Sequence, residues 1–247
     1  VNPPLNPILS DIRFFMNFIK HLHHVLITVF AVINSFMFYL FLMGLPYGID
    51  PFLVSIANWE QLSPRIGIVS VIAVLAGVGG VLLALRLSSD VKNGLLYLRW
   101  RFTHPAHDVF LTTRRQPFAS NAALDAFPEV RDAAFSARVQ TEVWRRLYDK
   151  NARVPVVMNT RIHWHMLRDI YILSLYFLLL FVVGWLVNYR MPFAVVAIYL
   201  FMYGVQFLFL MLAARRVGTR FVDNVLAVAL GLSEGASGAG GRGKKRV

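Results

Sequence analysis

The chain has 247 residues, 57% of them hydrophobic and 15% charged, with a formal net charge of +12 and no cysteine. Ordinary globular chains carry about 25% charged residues, so the composition excludes a typical soluble domain. The missing thiols exclude disulfides, thiolate chemistry and cysteine-ligated metal sites.

The apolar residues are gathered into long runs rather than amphipathic stripes. That pattern predicts an all-α integral membrane protein with four transmembrane helices as two hairpins, and a helical cytoplasmic segment between spans two and three. Residues 1–24 read as an N-terminal arm with an interfacial helix. Ser10 or Asp11 suits its N-cap, and Phe14, Phe15, Phe18 and Ile19 form one apolar face. Val1 fits a GTG start and, with it, a bacterial source. Residues 25–85 form transmembrane hairpin 1. Its first span, about 25–45, is longer than a signal-peptide core and precedes no small-x-small cleavage site, so it reads as retained. A turn to Pro64 carries Asp50, Trp59 and Glu60, with Trp59 as an interface anchor. In span two, about 66–85, Ala73 and Gly77, then Ala76, Gly80 and Ala84, repeat at i, i+4. Such small residues are helix-packing positions, against the chain's own spans or a second copy.

Residues 86–169 are the segment large enough for aqueous chemistry, with 14 basic and 8 acidic residues. Leu87–Phe102 reads as a helical continuation of span two, broken by His104-Pro105. Thr112–Asn121 is loop-like around Arg114-Arg115, and a short helix follows at Ala122–Phe127. A longer helix runs from Pro128-Glu129 to about Lys150 with Val130, Ala134, Phe135, Trp144, Leu147 and Tyr148 as its inner face. A further helix from about Met158 enters span three.

Residues 170–214 form transmembrane hairpin 2, with spans at about 170–187 and 193–214. Their uncharged runs of 18 and 22 residues make helices roughly 27–33 Å long, matching a bilayer core of about 30 Å. Residues 215–232 read as a juxtamembrane helix and 233–247 as a disordered basic tail. Only Arg65 and Arg190 of the 25 basic residues fall in the two inter-span turns. The positive-inside rule therefore places both termini and the central segment in the cytoplasm.

The seven histidines cluster as His21, His23 and His24; His104 and His107; His163 and His165. Membrane diiron hydroxylases also gather histidines at one face of a few spans, but in His-x-x-x-His and His-x-x-His-His boxes that are absent here. His163 and His165 diverge by about 200° on a helix. His21, His24, His104 and His107 are the remaining metal-ligand candidates, and packing or interfacial roles explain them with fewer assumptions. There is no Walker loop, dinucleotide fingerprint or Gly-x-Ser-x-Gly. No cofactor or catalytic residue is assigned. The spans hold no Asp, Glu, Lys or Arg, which disfavours ion-coupled transport. Asn34 and Gln206 are the polar residues nearest mid-bilayer and read as interhelical hydrogen-bonding groups. Tyr199 and Tyr203 share a helix face.

Several short patterns resemble an uncharacterised group of bacterial four-span inner-membrane proteins. They are His104-Pro105-Ala106-His107 with Phe110; Phe127-Pro128-Glu129-Val130; Gln140 with Trp144-Arg145-Arg146-Leu147-Tyr148-Asp149-Lys150; Arg168-Asp169; and Arg216, Gly218, Arg220-Phe221-Val222 and Val225-Leu226-Ala227. They span about residues 100–230. The resemblance implies a multi-pass protein of the bacterial inner membrane and carries no activity with it.

The expected function is a non-enzymatic, homo-oligomeric membrane protein of scaffold, effector or pore type. Its basic cytoplasmic segment would bind a protein partner or gate the membrane part. Trp144, Arg145, Arg146 and Tyr148 are the expected partner contacts. Arg215, Arg216, Arg220, Lys244, Lys245 and Arg246 are expected to meet the anionic headgroups of the bilayer. The alternatives are a histidine-metal enzyme acting on lipid and a passive channel. Nucleic acid is a poor fit, because acidic residues are mixed through the basic segment and no binding module is present.

Overall fold

The structure, a computed structural model, describes residues 7–57, 59–111, 120–187 and 191–231. The described residues are helical, without a strand: α1 (Pro7–Leu42), α2 (Ile49–Ala57), α3 (Trp59–Arg86), α4 (Ser89–Tyr97), a 3-10 turn at Pro105–Asp108, α5 (Ser120–Ala126), α6 (Pro128–Asp132), α7 (Ala137–Asn151), α8 (Pro155–Val187) and α9 (Phe193–Ala229). Four of these helices contain stretches long and apolar enough to cross a membrane: His21–Leu42, Ile66–Arg86, Pro155–Val187 and Phe193–Ala229. This fits a multi-pass membrane protein. The expected loop around Arg114-Arg115, the link at Arg190 and the tail with Lys244, Lys245 and Arg246 lie outside the described residues.

Several element boundaries differ from those expected. The N-terminal helix and the first apolar run are one helix, α1, and the expected turn after it contains α2. The continuation of α3 past Arg86 is instead a new helix. The Ser88 side chain accepts from Val91 N at 3.4 Å to start α4, and Leu98 ends it in the left-handed region at φ 54°. The single helix expected from Pro128 to Lys150 is split into α6 and α7. Ala134 and Phe135 both adopt positive φ, 46° and 58°, a conformation no helix can run through. The short helix before it begins two residues early, at Ser120, and α8 begins at Pro155, where proline costs no hydrogen bond. The fourth apolar run and the expected juxtamembrane helix are one helix, α9, continuous through Gly218.

The chain divides into two compact units. The first contains the described residues up to Leu87 together with Asp169–Leu210. Its core is aromatic. Phe41 lies 4.7 Å from the Phe181 ring and 5.5 Å from that of Tyr199, and Phe181 lies 5.6 Å from Tyr203. The shared face of Tyr199 and Tyr203 also makes polar contacts. Tyr199 donates to the Leu45 carbonyl at 3.0 Å, satisfying an acceptor just past the end of α1, and Tyr203 donates to the Asn34 carbonyl at 3.2 Å. Asn34 is fully buried. Its amide donates to Phe30 O at 2.9 Å and its Oδ1 accepts from Gln206 at 2.9 Å; Gln206 also reaches Ser174 Oγ at 3.3 Å. One polar knot thus ties α1, α8 and α9. Large apolar side chains such as Val32, Ile68, Val74, Leu75, Phe201 and Phe209 face outward, as a lipid-bathed surface requires.

The small residues of α3 sit at close approaches inside this unit. A Cβ on Gly77 would collide with Ser35 Oγ of α1. One on Gly80 would lie 2.6 Å from Leu173 and 3.0 Å from Tyr176, both on α8. Ala73 and Ala84 are buried. The i, i+4 spacing therefore admits two neighbouring helices of the same chain.

The second unit contains Ser88–Arg168 and the described residues from Met211 on. Its core is built from Ala106, Val109, Val130, Val143, Trp144, Val157, Trp164, Phe221, Val222 and Val225, among others.

Gly80→Leu should destabilise the folded protein by about 1–3 kcal/mol through overpacking against Leu173 and Tyr176. Gly204→Leu, where a Cβ meets nothing within 4 Å, should melt like the parent. Detergent-phase thermal melting of both variants checks this, and equal melting of the two would refute the packing assignment.

Candidate functional site

The second unit gathers most of the polar side chains singled out in the sequence. The Pro105–Asp108 turn packs against α7, and His104 starts it: its Nδ1 accepts from Ala106 N at 3.2 Å. An acceptor Nδ1 places the proton of neutral His104 on Nε2. The ring lies 4.6 Å from Trp144 and 5.7 Å from Trp164. Burial lowers its pKa from 6.5 to about 4, reinforced by the charges of Arg145 and Arg168 and by His107 and His165. His107 is held differently. Its Nδ1 donates to the His104 carbonyl at 2.9 Å and its Nε2 accepts from the Arg99 guanidinium, with Asp108 Oδ1 at 3.6 Å from Nδ1. Both of its ring nitrogens are engaged in a neutral tautomer.

His21 and His24 are exposed on α1. His23, between them, stacks on His24 at 5.8 Å and lies 3.4 Å from Asp169 Oδ2. Among the described residues no three of His, Cys, Asp and Glu form a group that could hold a metal ion. The four metal-ligand candidates are therefore not brought together into one described site.

Trp144, expected both on an inner helix face and at a partner contact, lies inward. It is buried at 4% exposure, donates to Val222 O at 3.3 Å, stacks on Tyr148 at an interplanar angle of 9° and meets Phe221 edge-on. Its large ring belongs to the core, so a surface contact with a partner falls to its neighbours. Arg145 is exposed. Arg146 is exposed and bonded to Glu129 at 2.7 Å, which keeps its guanidinium more firmly protonated. Tyr148 is half-buried, with Arg161 5.6 Å above its ring.

Gln140 stands out in the sequence only as part of a motif and Asn93 not at all, because an amide carries no local sign of the groups it will bond. Gln140 is fully buried. Its Oε1 accepts from Phe110 N at 3.1 Å and its Nε2 donates to Phe135 O at 2.7 Å. Asn93 accepts from the buried Arg168 at 3.0 Å; Arg168 also reaches His165 Nδ1 at 3.0 Å and lies 5.1 Å from the Trp164 ring centre. The Arg168-Asp169 dipeptide was visible in the sequence, but the amide and imidazole that receive the guanidinium were not.

Arg215, Arg216 and Arg220, expected at headgroups, separate into two kinds. Arg216 and Arg220 are exposed, whereas Arg215 donates through Nε to Leu96 O at 2.7 Å. Arg215 lines a pocket of about 170 Å³ with Tyr97, Arg99, Pro105, His107, Asp108 and Thr219. Gly218 beside it admits Tyr97 and Trp164 so closely that a Cβ would collide with the Tyr97 hydroxyl and lie 2.7 Å from Trp164 Nε1.

The exposed surface of this unit is unevenly balanced. Arg131 pairs with Asp125 at 3.7 Å, Arg138 with Glu142 at 3.0 Å and Arg146 with Glu129. Exposed Arg101, Arg145, Lys150, Arg153, Arg216 and Arg220 have no carboxylate within 4.0 Å among the described residues. No family model, curated protein or solved structure matches this chain.

The depressed pKa of His104 has a consequence for stability. Above pH 6.5 His104 is neutral whether the chain is folded or unfolded; between pH 6.5 and about 4 the unfolded chain binds the proton more readily, so stability falls with falling pH. His104→Asn, whose carboxamide can keep the cap, should melt with a shallower pH dependence than the parent across that window. Parallel slopes for parent and variant would refute the burial-driven shift.

Proposed function

We propose that this chain is a non-enzymatic, oligomeric four-span protein of the bacterial inner membrane, of scaffold or effector type. Its two transmembrane hairpins carry a basic helical segment on the cytoplasmic side, with both termini on that side. That segment binds an acidic protein partner and the anionic headgroups of its own bilayer. The observation that carries this reading is the surface of the second unit: Arg145, Lys150, Arg153, Arg216 and Arg220 stand exposed with no carboxylate within 4.0 Å among the described residues, while His104, His107 and the Trp144 ring are taken up in caps and core packing. Unpaired cations beside a membrane attract acidic surfaces and anionic lipid at about 1 kcal/mol per residue. The positive-inside distribution supports the sidedness, and the resemblance of the short sequence patterns to bacterial four-span proteins supports the location. Self-association is supported by an apolar cleft of about 680 Å³ among α1, α2 and α3, lined by Val32, Phe36, Ile56 and Val74 among others.

The absence of native cysteine makes each single-cysteine variant a clean reporter of sidedness. Ala126→Cys should react with a membrane-impermeant maleimide in inverted vesicles and resist it in intact cells. Ile49→Cys, on an exposed residue before α3, should show the reverse. Labelling of Ala126→Cys from outside would overturn the topology. The detergent-corrected mass should be a multiple of 28.1 kDa, and a single chain would overturn self-association. A photo-crosslinking residue at position 145 should yield a protein adduct in cells that is lost when Lys150 and Arg153 are changed to Glu. Adducts to lipid alone would overturn the partner.

A further inference from the structure

We infer that the pocket between α4, the Pro105–Asp108 turn and α9 binds one phospholipid by its phosphodiester group, with Arg99 and Arg215 as the anion-holding residues. This rests on the proposed membrane setting of the chain and narrows it from a diffuse basic surface to a built site.

Three observations carry it. First, the two guanidiniums are positioned by the protein. Arg215 is anchored through Nε to Leu96 O at 2.7 Å, and this bond leaves its Nη groups for a ligand. Arg99 donates to His107 Nε2, and its backbone N–H bonds to Gly94 O at 3.0 Å. His107 is in turn oriented by its bond to the His104 carbonyl. Planar guanidiniums held this way suit the oxygens of a phosphate.

Second, the charge of the pocket selects the ligand. Among the described residues its lining holds Arg99 and Arg215, one carboxylate, Asp108, and His107, whose Nε2 accepts from Arg99 while its Nδ1 donates to the His104 carbonyl. Over those described side chains the two guanidiniums exceed the carboxylate by one charge. That complements a phosphodiester, which carries one negative charge, better than a phosphomonoester, which carries about −1.5 to −2 at pH 7. At about 170 Å³ the pocket has room for a group the size of about five or six waters, enough for a phosphodiester with its flanking carbons.

Third, the depth is right. Arg215 directly follows the twenty-two uncharged residues Phe193–Ala214 of α9, and Thr219 lies one turn further on. A pocket within about 6 Å of the end of an apolar run sits at headgroup level, where basic pockets bind anionic lipid heads.

Native mass spectrometry of the full chain in neutral detergent tests the site. Phosphatidylglycerol should be retained at one per chain, at least tenfold more tightly than a phosphate-free glycolipid with the same acyl chains. Arg99→Gln and Arg215→Gln should each weaken retention tenfold or more, whereas Arg216→Gln, which touches the diffuse surface alone, should weaken it by far less. Asp108→Asn removes the negative wall charge and should improve retention of phosphatidic acid, a gain that misfolding cannot imitate. Equal loss in Arg216→Gln and Arg215→Gln, or no gain in Asp108→Asn, would overturn the pocket while leaving a diffuse anionic-lipid surface standing. Phosphatidylglycerol retained no better than glycolipid would overturn both. Displacement of the bound lipid by millimolar inorganic phosphate would overturn the lipid as the source and assign a soluble anion.

Discussion

Hydrocarbon supplies no hydrogen bonds, so each polar group placed in it must be matched from within the protein. The first unit meets that condition at one knot. Asn34 offers a carbonyl, an amide and a side-chain oxygen in the middle of an apolar helix, and Phe30 O, Tyr203 and Gln206 take up all three. Ser174 brings a third helix into the same knot. Interhelical bonds of this kind are worth about 0.6–2 kcal/mol each, but their geometric effect is larger. They fix which faces of α1, α8 and α9 meet, and the aromatic contacts of Phe41, Phe181, Tyr199 and Tyr203 then fill the space around them.

The same condition governs the second unit by other means. Buried polar groups there are satisfied individually: Gln140 bridges Phe110 N and Phe135 O, Trp144 donates to Val222 O, and Arg168 reaches Asn93 and His165. Gln140 explains an irregular backbone. Ala134 and Phe135 leave the helical region between α6 and α7, and the Gln140 Nε2 donates to the Phe135 carbonyl that this departure strands. The unit is therefore assembled by side chains that reach across loops and helices, around a stack in which Tyr148, Trp144, Phe221 and Trp164 follow one another at ring separations near 5.4 Å.

The apolar helices were legible in the sequence because length and the absence of charge are local properties, and Ile170–Val187 and Phe193–Ala214 declare them without reference to anything else. Asn34 and Gln206 were legible for a related reason: a polar residue in an uncharged run stands out and has few partners to choose from. The interior of the basic segment was harder. Periodicity puts Trp144 on an inner face while its neighbours Arg145 and Arg146 suggest a recognition surface, and nothing local reveals that its ring meets Phe221, seventy-seven positions away. The break at Ala134 and Phe135 carries no glycine, proline or asparagine to announce it, although it is closed by local turn bonds, Ala134 N to Arg131 O at 2.9 Å and Phe135 N to Val130 O at 3.0 Å, with Gln140 Nε2 on Phe135 O. Arg215, Arg216 and Arg220 read alike in sequence; only the bond from Arg215 to Leu96 O separates an anchored guanidinium from two exposed ones.

That distribution of charge bears on where the protein does its work. The uncharged runs hold no Asp, Glu, Lys or Arg that could carry a proton or bind an ion by charge across a bilayer, and Asn34, Ser174 and Gln206 are committed to one another. At the edge of the apolar runs, charged groups are present but held: Asp169 lies against His23, and Arg168 is packed over Trp164. Beyond them the balance changes, with exposed arginines and lysines outnumbering the carboxylates that could neutralise them among the described residues. Exposed like charges repel one another and contribute little to the fold, so a surface of this kind is explained by what it attracts. The proposed acidic partner and anionic headgroups both answer to it, and the pocket at Arg99 and Arg215 differs from the rest in having the geometry to hold one such group in place.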